Sequence, residues 1–166
     1  MSTKQEDVNI ILRLYEMRRE EAMRQARDWF TTDFNPQSTQ DIYEILVSEH
    51  SPKYRMVSTY WDMACAFVNH GAIDEQLFND VNSEHVAVYA KLQPFLAEFR
   101  ATTGTPWYLK HLELLVMRMP DSQERIATLR RFMKRRLEAR TKREDESRVV
   151  EAASETGGAE GSTSSS

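Results

Sequence analysis

The chain has 166 residues, a formal net charge of −4 and one cysteine. That length supports a single hydrophobic core with a tail, and one cysteine excludes an internal disulfide or a clustered-cysteine zinc site within one chain. Only five glycines are present, three of them in the last ten residues, too few positive-φ turn residues for a strand-rich domain; the composition points to all-α.

Charge is unevenly distributed. Residues 1–129 hold 13 Lys/Arg against 19 Asp/Glu, residues 130–143 hold 8 against 1, and residues 144–166 hold 1 against 6. An acidic body, a basic strip and an acidic tail follow one another. The longest apolar runs, "MACAFV" and "LLVM", are far shorter than the roughly 20 residues that span a bilayer, and no secretory leader pattern opens the chain. The expected setting is cytoplasmic, with no transmembrane segment.

In chain order, Thr3 and Glu6 have capping-box spacing. They predict a first helix over about 5–30, its inward stripe running Val8, Ile11/Leu12, Tyr15, Ala22, Ala26 and Trp29/Phe30, with "RREE" interrupting it. Pro36 ends it, and a short helix from Ser38 turns Ile42, Ile45 and Leu46 to one side. Ser51 is expected to cap the next helix, with Pro52 in its first turn, where a missing N–H is harmless. That helix, "YWDMACAFVN", is apolar on most sides and therefore central. Gly71 supplies its left-handed end, and His70 sits in the last turn, where a partly positive ring suits the helix dipole.

Asp74 starts a short helix and Ser83 the next, which Pro94 is expected to kink or divide. Thr105–Pro106 repeats the Ser51–Pro52 device before "WYLKHLELLVMRM". After Pro120, Asp121 and Glu124 look like a capping box, and Ile126, Leu129, Phe132/Met133 and Leu137 continue a rhythm that fades near residue 140. The expectation is an irregular or orthogonal bundle of about six helices with an extended basic C-terminal helix: one domain over 1–140, and a charged, Ser/Gly-rich disordered tail over 141–166.

Chemistry-bearing side chains are sparse. Cys65 and His70 point about 140° apart on a helix, so they form no thiolate–imidazole pair, and Asp62 beside Cys65 would raise the thiol pKa. None of the four histidines has a glutamate three residues before it, and no His-x-x-x-His pair exists. No phosphate loop, nucleophile elbow or dinucleotide fingerprint is present. No metal, cofactor or catalytic residue is expected, and the chain reads as no enzyme.

Two groups of residues stand out. Asp62, Arg100 and Glu113 are charges embedded in apolar stretches; they are expected to pair as structural anchors, or to line a polar pocket for a small ligand. Arg130, Arg131, Lys134, Arg135, Arg136, Arg140, Lys142 and Arg143 form the basic strip, either a solvated helix face or a contact for nucleic acid or an anionic membrane.

From Val57 to about Met117 the segments "YWDMACAFVNHGAIDEQLF", "YAKLQPFLAEFR" and "PWYLKHLELL" resemble a small bacterial all-helical family of unknown function. The shared spacing is a hydrophobic helix ending in a small-residue turn, an Ile-Asp-Glu restart, an arginine closing the next helix, and an aromatic-plus-acid helix. The resemblance implies an all-α domain without an assigned activity, and leaves the first 50 residues and the basic strip outside it. The leading expectation is a helical protein-interaction module, self-associating through its first or last helix or binding a protein partner. A regulator that uses the basic strip on nucleic acid or membrane is second, and a ligand-binding or catalytic bundle around Asp62, Arg100 and Glu113 third.

Overall fold

A computed structural model describes residues 3–157. Among them eight helices occur and no strand: α1 Lys4–Arg19, α2 Glu21–Thr32, α3 Thr39–Val47, α4 Ser51–Asn69, α5 Glu75–Val81, α6 Glu84–Thr103, α7 Lys110–Arg118 and α8 Ser122–Gly157. Residues up to Arg130 form one compact unit, and those from Arg131 a second.

In the first unit α4 is the hub, touching α2, α3, α5, α6 and α7. Trp61, Val57, Ala64 and Cys65 are buried along it, and Tyr54, Tyr60 and Val68 extend the same surface. Around them close Phe30, Ile42, Phe78, Tyr89, Leu92, Leu112, Leu115 and Ile126. A helix apolar on most sides is stable only when neighbours cover it all round, and α4 has them.

The ends follow local chemistry. Thr3 and Glu6 close a reciprocal capping box at α1, Ser38 and Asp41 do the same at α3, and Asp74 accepts from the Leu77 amide at α5. Gly71 takes φ +74° immediately after the α4 C-cap residue His70, a conformation that suits glycine. The expected Ser51 cap is displaced by one residue: His50 occupies the cap position of α4. The Ser48 hydroxyl takes the His50 amide and the Ser48 carbonyl takes the Ser51 amide, so the turn closes before Ser51.

The first long helix is two. Glu20 adopts extended φ/ψ at the junction of α1 and α2, where "RREE" breaks the apolar rhythm. The phase of α1 also differs from expectation. Its buried residues are Asp7 and Leu14, whereas Val8, Leu12 and Tyr15 are about half exposed, at 43, 54 and 50%. The buried side of α1 ends in charge: Arg18 lies against the Trp61 ring, 5.3 Å from its centroid, a cation–π contact that lets a cation occupy an apolar position.

Pro94 does not divide α6, which runs unbroken to Thr103. A proline orphans the carbonyl four residues before it, here Ala90. Arg130 donates its Nε–H to that oxygen at 2.9 Å and reaches the Gln93 side chain with Nη2. The Thr105–Pro106 restart is also displaced, since α7 begins only at Lys110, after Leu109 in a left-handed conformation with φ +51°.

In the second unit the helix continues to Gly157, well past residue 140, where apolar periodicity stops. Pairs four residues apart substitute for it: Arg140–Glu144 at 2.8 Å, Lys142–Glu146 at 3.8 Å and Lys134–Glu138 at 4.0 Å, with Arg and Glu themselves good helix formers. The remainder of the expected disordered tail, residues 158–166, lies outside the described residues.

Candidate functional site

The three embedded charges meet at one place, the start of α7. Entry into that helix requires Leu109, a buried non-glycine residue, at positive φ, which costs on the order of 1 kcal/mol. Three contacts hold it. Arg100 Nε donates to the Tyr108 carbonyl at 2.9 Å. Arg100 Nη1 donates to Glu113 at 2.7 Å. Asp62, reaching from α4, accepts the Leu112 amide at 2.9 Å, acting as an N-cap supplied by another helix. Tyr89 adds a long hydrogen bond of 3.4 Å to Glu113, and burial first, then Glu113, pushes its phenol up to about 12.

Arg100 and Glu113 line a groove of about 610 Å³ between α6 and α7, with Leu96, Leu114 and Met117 as its apolar part. Asp62 is not in its wall. Both carboxylates already accept hydrogen bonds from the protein. Arg100 and Glu113 thus pair with each other, Asp62 binds the Leu112 amide and neither of them, and all three hold the start of α7, with the groove beside two of them.

The remaining titratable groups are also placed by packing. Cys65 is fully buried, and burial, then the Asp62 charge, drives its thiol pKa far upward; it is no nucleophile in that state. His85 is fully buried between the Trp61 and Phe78 rings, at 5.8 and 5.2 Å, and neither ring nitrogen meets a hydrogen-bond partner. Burial pushes it down to about 4. His111 lies elsewhere, against Asn69 and 5.4 Å from the His70 ring. Among the described residues no group of three or more His, Cys, Asp or Glu is placed to hold a metal, and no helix is long and apolar enough to cross a membrane.

Sequence reasoning passed over one polar centre. Glu84, at the start of α6, accepts Arg27 Nε at 2.8 Å and Trp61 Nε1 at 3.2 Å, with Arg18 at 3.8 Å. It joins α1, α2, α4 and α6. Lys91 likewise donates to the Phe30 and Phe34 carbonyls at 2.7 Å, where a cation complements the C-terminal end of α2. Neither residue sits in a recognisable motif; the signal was only a charge amid apolar neighbours, the same one that singled out Arg100.

Of the basic strip, Arg130 belongs to the first unit and is engaged at Ala90. The other seven cations lie in the second unit, where at about 100° per residue they spread around the whole circumference instead of forming one cationic face. Lys134, Arg140 and Lys142 have acidic partners on the same helix. Arg131 is exposed; Arg135, Arg136 and Arg143 are exposed without an ion pair among the described residues.

A family model described as a domain of unknown function, DUF4760, matches residues 4–119. The match takes in the Asp62–Arg100–Glu113 clamp, and it reaches back through α1, which the resemblance read from the sequence had left out. No curated protein and no solved structure matches the chain.

Proposed function

We propose that this chain, which belongs to the DUF4760 family of domains of unknown function, works as a non-enzymatic protein-interaction module that docks a partner on the outer face of α1. One observation carries the reading. Val8, Leu12 and Tyr15 stand about half exposed at spacings of four and three residues, within about 60° of one direction, which makes a continuous apolar ridge of the kind one helix presents to another. Scattered exposed apolar residues are ordinary; a row in register with the helix repeat is not. The ridge ends at Arg19, whose guanidinium stands 5.9 Å from the Tyr15 ring centroid, giving it a cationic border.

The chemistry agrees. The thiol is buried, and the carboxylates of Asp62 and Glu113 hold α7 in place, which gives these groups a structural role. A reduced, buried Cys65 fits a cytoplasmic setting.

The test is site-specific photo-crosslinking in the native host, with a photoreactive residue at Leu12 or, as control, at Arg13 on another side of α1. Discrete adducts from Leu12 that vanish when Val8→Glu and Tyr15→Glu are added, with none from Arg13, are the expected result. Equal labelling from both positions would sink the reading.

A further inference from the structure

We infer that residues 131–157 form a self-pairing segment, in which the helix of one copy lies antiparallel along that of a second copy, basic half against acidic half. The inference uses none of the α1 residues and stands or falls separately from the ridge.

Three observations lead to it. First, every residue from 131 to 153 is exposed except half-buried Met133, and Phe132, Val149 and Val150 are 62, 69 and 70% exposed. A helix without a buried face in its own unit gains nothing from folding except its intrahelical bonds, which are marginal in water. Second, charge is split along the helix. Residues 131–143 carry seven cations and Glu138, whereas residues 144–153 carry Glu144, Asp145, Glu146 and Glu151 with only Arg148. Parallel pairing would set like halves together; antiparallel pairing sets opposite halves together.

Third, one face fits that arrangement. At about 100° per residue, Phe132, Ala139, Val150 and Ala153 fall within about 60°, with Arg143 and Glu146 between them on the same side. If Ala139 faces Val150 of the second copy, Arg143 faces its Glu146, and the two-fold axis repeats both contacts. Arg143 has no ion pair within the chain among the described residues, and Glu146 has only the 3.8 Å contact with Lys142, so both are available. The apolar contacts are small and the charges solvent-facing, so the association is weak and falls roughly tenfold as salt is raised from 50 to 500 mM.

The experiment is sedimentation velocity on the full-length chain with two variants, Arg143→Glu and Glu146→Arg. The wild type is expected to dimerise at low salt. Each variant alone opposes like charges and stays monomeric, and an equimolar mixture restores a heterodimer in which both contacts are opposite in sign. Disulfide trapping fixes direction: Ala139→Cys should couple to Val150→Cys and not to itself. A monomeric wild type at all salts, a mixture no better than its components while circular dichroism shows their helices intact, or Ala139→Cys coupling to its own copy would each overturn the proposal.

Discussion

Helix α4 and residues 131–157 of α8 are both longer than an average helix, yet opposite forces keep them helical. Along α4, Tyr54, Val57, Trp61, Ala64, Cys65 and Val68 are buried at 5% exposure or less, and its polar Asp62 is tied to α7. Residues 131–153 bury nothing fully and rely on charge pairs four apart, each worth about 0.2–0.5 kcal/mol. The first helix is held by its surroundings and so carries the fold; the second is held by itself and so keeps its surface available. In this molecule, side-chain exposure is highest where tertiary stabilisation is lowest.

The sharpest way to break that contrast is to hollow α4. Trp61→Ala removes a side chain that is 1% exposed and leaves Glu84 short of one donor. It is expected to cost about 3–5 kcal/mol, a large fraction of a typical domain's stability. Urea denaturation followed by tryptophan-independent circular dichroism reads it out. An effect below 1 kcal/mol would mean α4 is not the hub.

Next in size is a dependence on pH that only the packed unit should show. His85 has its folded-state pKa held near 4 by burial, below its ordinary 6.5. As pH falls through 6.5 the unfolded chain takes up a proton that the folded chain refuses, so stability is lost progressively down to about pH 4. Between pH 7 and pH 5 the loss from this group is about 2 kcal/mol. His85→Phe should flatten that part of the urea-midpoint profile, leaving the carboxylate-driven decline below it. A parallel profile for the variant would show that His85 is protonated without penalty.

The clamp on α7 comes third. Asp62→Ala deprives the Leu112 amide of its acceptor and should cost about 1 kcal/mol, while Asp62→Asn, which keeps a carbonyl oxygen, should recover most of it. Thermal unfolding of the three proteins decides the matter; an asparagine variant as poor as alanine would point to the charge in place of the cap.

How much of this could be read in advance follows the same division. The all-α class, the central place of α4, the Gly71 stop, the Thr3–Glu6 capping box and the helix start at Asp74 depend on short-range pattern, and the structure has them. The phase of α1 was not legible, because its buried side carries Asp7 and Arg18, and only the tertiary fold sets Trp61 beneath the guanidinium. Pro94 was read as a kink or a break because the donor that repairs α6 lies at Arg130, far along the chain. Asp62, Arg100 and Glu113 were picked out as unusual charges, but their meeting at one helix start depends on Leu109 turning left-handed, a conformation no leucine advertises. The ridge on α1 was visible as a stripe, and only the structure turned it outward.

The smallest expected effect probes the other side of the contrast. Glu144→Gln removes the 2.8 Å pair with Arg140 and should weaken the helix around it by about 0.3–0.5 kcal/mol. The unfolding midpoint of the first unit should not move, since no buried group is touched. Amide hydrogen exchange resolves so local a change: protection over residues 140–148 should fall by roughly twofold at low salt, and the difference should close at 1 M salt, where the Debye length is about 3 Å. Loss of protection that persisted in high salt would show that Glu144 stabilises the segment through something other than charge, and would remove the reason for treating residues 131–157 as a helix sustained by its own ion pairs.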